Sequence, residues 1–301
     1  MPLVIDNPTS ESCSLPEAIE ALADLNFDPR DEGNGNEAAL WLRRLTNNRR
    51  FLANALIDRL TGRLVGKTVS SANSEYGPQA IILSGLRGSM FLRANIWPAP
   101  QDLCFKTSGA ANFVYDVPHD HNFSFLTAGY VGPGYRSDYY EYDYENVVGY
   151  PGEPAGLRFV ERSALYEGKV MLYRAHVDVH SQLPPEALSV SLNVMHVDPA
   201  QGWFDQYAFD LERNEVARVL SPNATEAFLR VAVASGTDDA LDYAQWVGEG
   251  HPSERLRLAS FEARAGLLDQ EGRDALWRKG EQCGSRMVAK VAEQRRAALA
   301  S

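Results

Sequence analysis

The spacing of apolar positions divides the chain into three stretches. Between Leu15 and Thr61, apolar residues recur every three or four positions in "LPEAIEALADL" and "NEAALWLRRLTNNRRFLANALIDRLTG", which predicts amphipathic helices with Gly62 as a stop. Between about Gln79 and Leu220 the runs shorten, and Gly, Pro and Asp separate them. "AIILSGL", "SMFLRANIW", "NFSFLTAGYV", "SDYYEYDY", "LRFVERSALY", "KVMLYRAHVDV", "LSVSLNVMHV" and "WFDQYAFDL" read as strands. Short strands at even spacing predict a sandwich or barrel. After Pro222 the helical spacing returns. The expected organisation is a helical segment over 1–70, a β-domain over 71–221 and a helical module over 222–301. Arg43, Arg44, Arg49 and Arg50 read as a solvated helix face.

Composition narrows the class. The 301 residues are 45% hydrophobic and 23% charged, enough for a sizeable core without disulfides. A formal charge of -11 disfavours nucleic acid and anionic membranes as partners. Cys13, Cys104 and Cys283 are scattered, without the C-x-x-C spacing of zinc or redox motifs, and read as free thiols in a reducing compartment. The first residues lack a basic stretch followed by an apolar one, and no run is long enough to span a bilayer, so a cytoplasmic location is expected.

Candidate chemistry centres on "VPHDHNF" at 117–123. His119 and His121 are separated by one residue, so on extended backbone both imidazoles leave the same face and can reach one ion. A third ligand has to come from another strand, and His176, His180 and His196 are the available histidines. "HVD" at 176–178 also matches the H-x-D of a two-histidine, one-carboxylate iron site, which would need a distal histidine such as His196 or His251. The other reading of His176 is a pocket residue that hydrogen-bonds a ligand or substrate.

These residues resemble the cupin superfamily, whose first motif contains H-x-H and whose second places a histidine about twelve residues after a glycine. The cysteine dioxygenase branch is similar in its P-x-H-D-H and in the strands that follow. The matching residues are "VPHDHNF", Gly168 twelve positions before His180, "SLN" at 191–193, and "SMFLRANIWPAP" leading into the first motif. The resemblance covers roughly 79–200. It implies a mainly β protein, a double-stranded β-helix (jelly-roll) barrel with N-terminal helices and a C-terminal helical module. It further implies one metal held by His119, His121 and His180.

Three imidazoles suit Fe(II), with Zn, Ni and Cu as alternatives. The positions of the usual cupin glutamate are Phe125 and Leu126, which leaves a three-histidine site unless Glu141 or Asp138 reaches in. Where thiol dioxygenases carry a histidine and a tyrosine after the third ligand, this chain has Asn193 and Met195, which points to a substrate other than cysteine. The implied function is a non-haem Fe(II) oxygenase acting with O2 on a small amino-acid-like substrate. The alternatives are an oxygen-independent Zn or Ni cupin enzyme and a non-catalytic sensor or scaffold.

Other residues enter through the same resemblance. Arg158 and Arg174 lie on strands expected to line the barrel, where a guanidinium can clamp a substrate carboxylate, with surface ion pairing as the competing role. Within the tyrosine cluster 135–144, Tyr140 and Tyr142 are the candidates for a phenol near bound oxygen, with His176 beside them. "HPSERLRLASFEARAGL" is similar to one helix of a HEAT-type repeat, but no second copy recurs at a fixed period. The C-terminal module is therefore expected to cap the barrel or to build a homodimer.

Overall fold

The structure is a computed structural model, and it describes residues 1–61, 79–221 and 224–299. The expected stop at Gly62 lies outside the described residues. The chain divides into two compact units. The first comprises 1–144, 155–201 and 208–214, and the second 145–154, 202–207 and 215–301.

Three helices open the first unit: α1 (Leu15–Leu25), α2 (Glu32–Asn47) and α3 (Phe51–Leu60). A capping box starts α1, in which Ser14 Oγ accepts from the Glu17 amide while the Glu17 carboxylate accepts from the Ser14 amide at 2.7 Å. Asn48 ends α2 with extended backbone, so the long helical run of the sequence is two helices.

Six strands form an antiparallel sheet: β1 (Leu3–Ile5), β2 (Ala80–Ile82), β3 (Met90–Trp97), β4 (Phe125–Val131), β7 (Val170–Tyr173) and β9 (Ser189–His196), in the order β1-β7-β4-β9-β3-β2. Three more, β5 (Arg136–Glu141), β6 (Arg158–Ala164) and β8 (Asp178–Leu183), form a second antiparallel sheet in the order β6-β5-β8.

Alternation along the strands sorts residues onto two faces. Leu92, Ala94, Leu126, Ala128, Leu192 and Val194 pack with Leu22, Leu42 and Leu45 of α1 and α2. Helices and large sheet thus share one core, and truncating a fully buried member such as Leu42 to Ala costs about 2–5 kcal/mol. The opposite face carries Trp97, Phe125, Tyr173 and Met195, which cluster with Tyr139 of β5.

"KVMLYRAHVDV" does not run as one strand. After β7, His176 takes φ 63°, and the Arg174 amide donates to Asp178 Oδ2 at 2.7 Å. This reversal transfers the chain from the large sheet to the small one, so His176 does not share a strand face with Asp178 and His180. Of the four arginines expected on a solvated face, Arg49 and Arg50 are exposed while Arg43 and Arg44 are half-buried. Arg44 pairs with Glu11 at 2.5 Å, and Arg49 pairs with Glu167 and donates to the Tyr130 carbonyl.

The second unit contains α5 (Ala224–Ala234), α6 (Asp238–Gly250), α7 (Glu254–Ala265), α8 (Gln270–Glu281) and α9 (Arg286–Leu299), the short α4 (Leu103–Ser108) belonging to the first. Leu229, Val233, Ala244 and Val247 form one apolar cluster, and Phe261, Trp277, Val288 and Ala292 another. Among the described residues no helix is long and apolar enough to cross a membrane.

Candidate metal centre

Backbone pairing builds the site. His119 and His180 form an antiparallel bridge in which each amide donates to the other's carbonyl, at 3.0 and 2.9 Å. Directly paired residues project to the same face. His121, two residues on from His119, projects with it, and its carbonyl accepts from the His176 amide at 2.8 Å.

The three imidazoles converge. His180 Nε2 lies 3.1 Å from His121 Nε2 and 3.3 Å from His119 Nε2, and all three side chains are buried. The ligand atoms lie within 4.8 Å of one another, and this is the only such cluster of His, Cys, Asp and Glu among the described residues. An ion about 2.0–2.1 Å from each imidazole nitrogen spaces those nitrogens about 2.8–3.4 Å apart for angles of about 90–110°. The two spacings fall in that range.

Protonation states agree with ligation. Burial pushes His119 down to about 4, against the smaller opposing effect of its hydrogen bond to the Val117 carbonyl. His121 and His180 are held well below the ordinary range by burial first, then by neighbouring imidazoles and, for His121, by Arg93. All three are neutral at pH 7, as ligands must be. His119 Nδ1 lies 2.7 Å from the Val117 carbonyl, so Nδ1 carries the proton and Nε2 keeps its lone pair for an ion.

Aromatic rings wall the site. Tyr173 packs edge-on to His180 at 4.9 Å, Phe125 edge-on to His121 at 5.0 Å, and Tyr139 lies parallel to His180 at 6.4 Å. The Tyr139 and Tyr173 hydroxyls are 3.0 Å apart, and burial pushes Tyr139 up to about 12. These phenols are neutral donors at pH 7.

The remaining sequence candidates occupy different places. Tyr139 stands opposite His180 in the β5–β8 register, so alternation sends Tyr140 to the other face of β5, against Phe159. Tyr139, not singled out in the sequence, is the β5 phenol beside the histidines; alternation was legible, but the register that selects the face was not. Tyr142 lies behind the H-x-H segment and donates to Asp120 Oδ2 at 2.5 Å. His176 packs on Tyr144 at 4.2 Å between ring centres, and burial pushes it down to about 4.

Arg174 binds Asp178 and Glu141 and donates to the Met1 carbonyl, while exposed Arg158 pairs with Asp143. Both guanidiniums are engaged in protein ion pairs. The same pairing holds Glu141, and Asp138 pairs with Arg162, so neither carboxylate joins the histidines. His196 packs edge-on to Phe27, away from them.

No protein-family model matches the chain, and no curated protein matches it. Among solved structures, salicylate 1,2-dioxygenase from Pseudaminobacter salicylatoxidans aligns with 12% identity over 49% of this chain and 33% of its own, at a TM-score of 0.26. This chain thus spans about a third of that protein's length. DMSP lyase from Ruegeria pomeroyi DSS-3 aligns with 13% identity over 65% of this chain and 79% of its own, at 0.23. Cobalt-bound HppE aligns with 11% identity over 58% and 97%, at 0.22. Overlaps this low carry no argument about shared chemistry, and the centre stands on its own three imidazoles.

Proposed function

We propose that the chain is a mononuclear metalloenzyme of cupin type, with His119, His121 and His180 holding Fe(II) and with O2 and a small amino-acid-like compound as substrates. The observation that carries this reading is the convergence of three buried, neutral Nε2 atoms at the spacing of metal ligands. Iron bound there would supply redox chemistry toward O2. The chain's own residues do the rest. Three ligands leave coordination positions for substrate, the rings of Phe125 and Tyr173 keep water out, and the Tyr139–Tyr173 pair offers a phenol proton to a bound anion.

An all-imidazole donor set also suits Zn(II), Ni(II) and Cu(II), and that composition favours a second reading, Lewis-acid chemistry without oxygen. Metal analysis of anaerobically purified protein, followed by oxygen-electrode traces with Fe(II) and a panel of amino acids, separates the two. Near-stoichiometric iron with substrate-dependent oxygen uptake supports the first. Zinc or nickel without uptake moves the assignment to the second, and protein that takes up no metal removes both.

A further inference from the structure

Strand β8 brings a second polar side chain to the histidines. Gln182 lies two residues beyond His180, so alternation turns both to the same face. Its Nε2 is 3.3 Å from His180 Nε2, and the residue is 4% exposed. The other amide atom, Oε1, is buried and makes no hydrogen bond among the described residues. Such an acceptor has given up water without gaining a donor, which is uncommon in folded proteins.

Distances place this amide within the set of metal donors. Three polar atoms surround His180 Nε2: His121 Nε2 at 3.1 Å, His119 Nε2 at 3.3 Å and the Gln182 amide at 3.3 Å. All three separations fall within the spacing of ligands about one ion. The nearby acids are engaged elsewhere, Glu141 by Arg174 and the Met1 ammonium and Asp138 by Arg162.

Charge decides which amide atom faces the ion. An imidazole lone pair given to a metal no longer accepts from an N–H, and the amide hydrogens carry partial positive charge that a divalent ion repels. A half-turn about the last side-chain torsion exchanges Oε1 and Nε2 and brings oxygen lone pairs to the ion. The oxygen that lacked a partner thereby gains one. Ser137, fully buried and opposite Gln182 in the β5–β8 register, offers a hydroxyl oxygen on the same face for the displaced NH2.

We propose that Gln182 is the fourth protein donor of this centre, binding the ion through Oε1 and completing a set of three imidazole nitrogens and one amide oxygen. The inference rests on the metal assignment of the three histidines and adds to it. Gln182 fills the place the sequence left open for Glu141 or Asp138. A carbonyl oxygen is a harder donor than imidazole, which shifts the set toward the earlier divalent ions such as Mn(II) and Fe(II).

The test reads the amide itself. Protein whose glutamines are isotope-labelled at the side-chain carbonyl carbon is compared by infrared difference spectroscopy, cobalt-loaded against metal-free. A carbonyl bond weakens when its oxygen binds a cation, so one labelled band should move to lower frequency, and that shift should vanish in Gln182→Leu. Even an outer partner of a metal ligand is worth about 10–100-fold in affinity, so calorimetry should show Gln182→Leu binding Co(II) about tenfold or more weakly. Gln182→Glu, which keeps an oxygen at the same reach, should restore the affinity. The metal-free melting temperature should hold in Gln182→Leu, because the substitution removes a buried oxygen without a partner, while the rise in melting temperature on adding Co(II) should shrink.

The infrared shift is read on the wild type, so it decides the question even where Gln182→Leu fails to fold. Cobalt bound with no shifted amide band, or bound equally by folded Gln182→Leu, overturns the fourth donor and leaves the three-histidine centre standing. Absence of cobalt uptake by the wild type overturns both.

Discussion

His119 and His180 exchange backbone hydrogen bonds at 3.0 and 2.9 Å and bring their Nε2 atoms to 3.3 Å. Residues 61 positions apart are thereby locked in register by main chain alone, so the ligand pair is set by the fold and not by side-chain flexibility. His121 then joins through its spacing from His119. Replacing any one of the three with Ala should lower metal affinity by about 100-fold or more, since two imidazoles cannot hold an ion as three do. Metal-to-protein ratio after dialysis against a weak chelator checks this, and an unchanged ratio in His180→Ala would sink the centre.

Tyr142 and Asp120 act from behind. Asp120 is fully buried between the two ligands of the first motif, and the Tyr142 hydroxyl donates to it at 2.5 Å. Leaving a buried polar group without its hydrogen bond costs about 1–3 kcal/mol, so Tyr142→Phe should lower unfolding free energy by about that amount. It should also loosen metal binding by about 10–100-fold, because the segment carrying two ligands loses an anchor. Tyr140→Phe, on the other face of β5, should change neither quantity measurably; denaturant melts and metal titrations of the two variants decide.

The pH dependence follows from the buried imidazoles. His119 falls from an ordinary 6.5 to about 4, and His121 and His180 shift the same way, each chiefly through burial. A depressed histidine takes up its proton in the unfolded chain first, so folding stability is full above about pH 6.5 and declines as pH falls toward 4. For His119 alone the loss is about 3 kcal/mol at the acid end. Metal-free protein should therefore melt progressively lower from pH 7 to 4.5, and replacing His119 with Gln should flatten that slope. A flat profile in the wild type would contradict the burial of these rings.

Much of the centre was legible in the sequence because its signals are local. H-x-H needs only strand period, and Gly168 to His180 is a countable spacing. What could not be read depends on cross-strand register. Tyr139 rather than Tyr140 faces the histidines because of one pairing, Tyr139 with His180. His176 falls in a turn rather than on a strand because nothing local in "KVMLYRAHVDV" announces its positive φ between β7 and β8. Arg158 and Arg174 were plausible clamps by strand position alone, but their partners Asp143 and Glu141 are chosen by folding.

Gly168 shows how a motif glycine has a physical cause. Its φ is +84°, and a Cβ there would lie 2.8 Å from the Arg43 guanidinium. An L side chain pays in backbone strain, about 1–3 kcal/mol, whatever room is made for it. The contact adds little, because the nearest atoms are the far end of the flexible Arg43 side chain on α2, which can swing aside. Gly168→Ala should thus destabilise the protein by about 1–3 kcal/mol, close to the cost of Gly152→Ala, also at positive φ and with open space at its Cβ. Since the ligands are held by the His119–His180 bridge and not by this turn, the Gly168→Ala protein that remains folded should still bind one metal ion. Denaturant unfolding together with metal content separates the two effects; a folded variant that has lost its metal would show that the turn positions His180 after all.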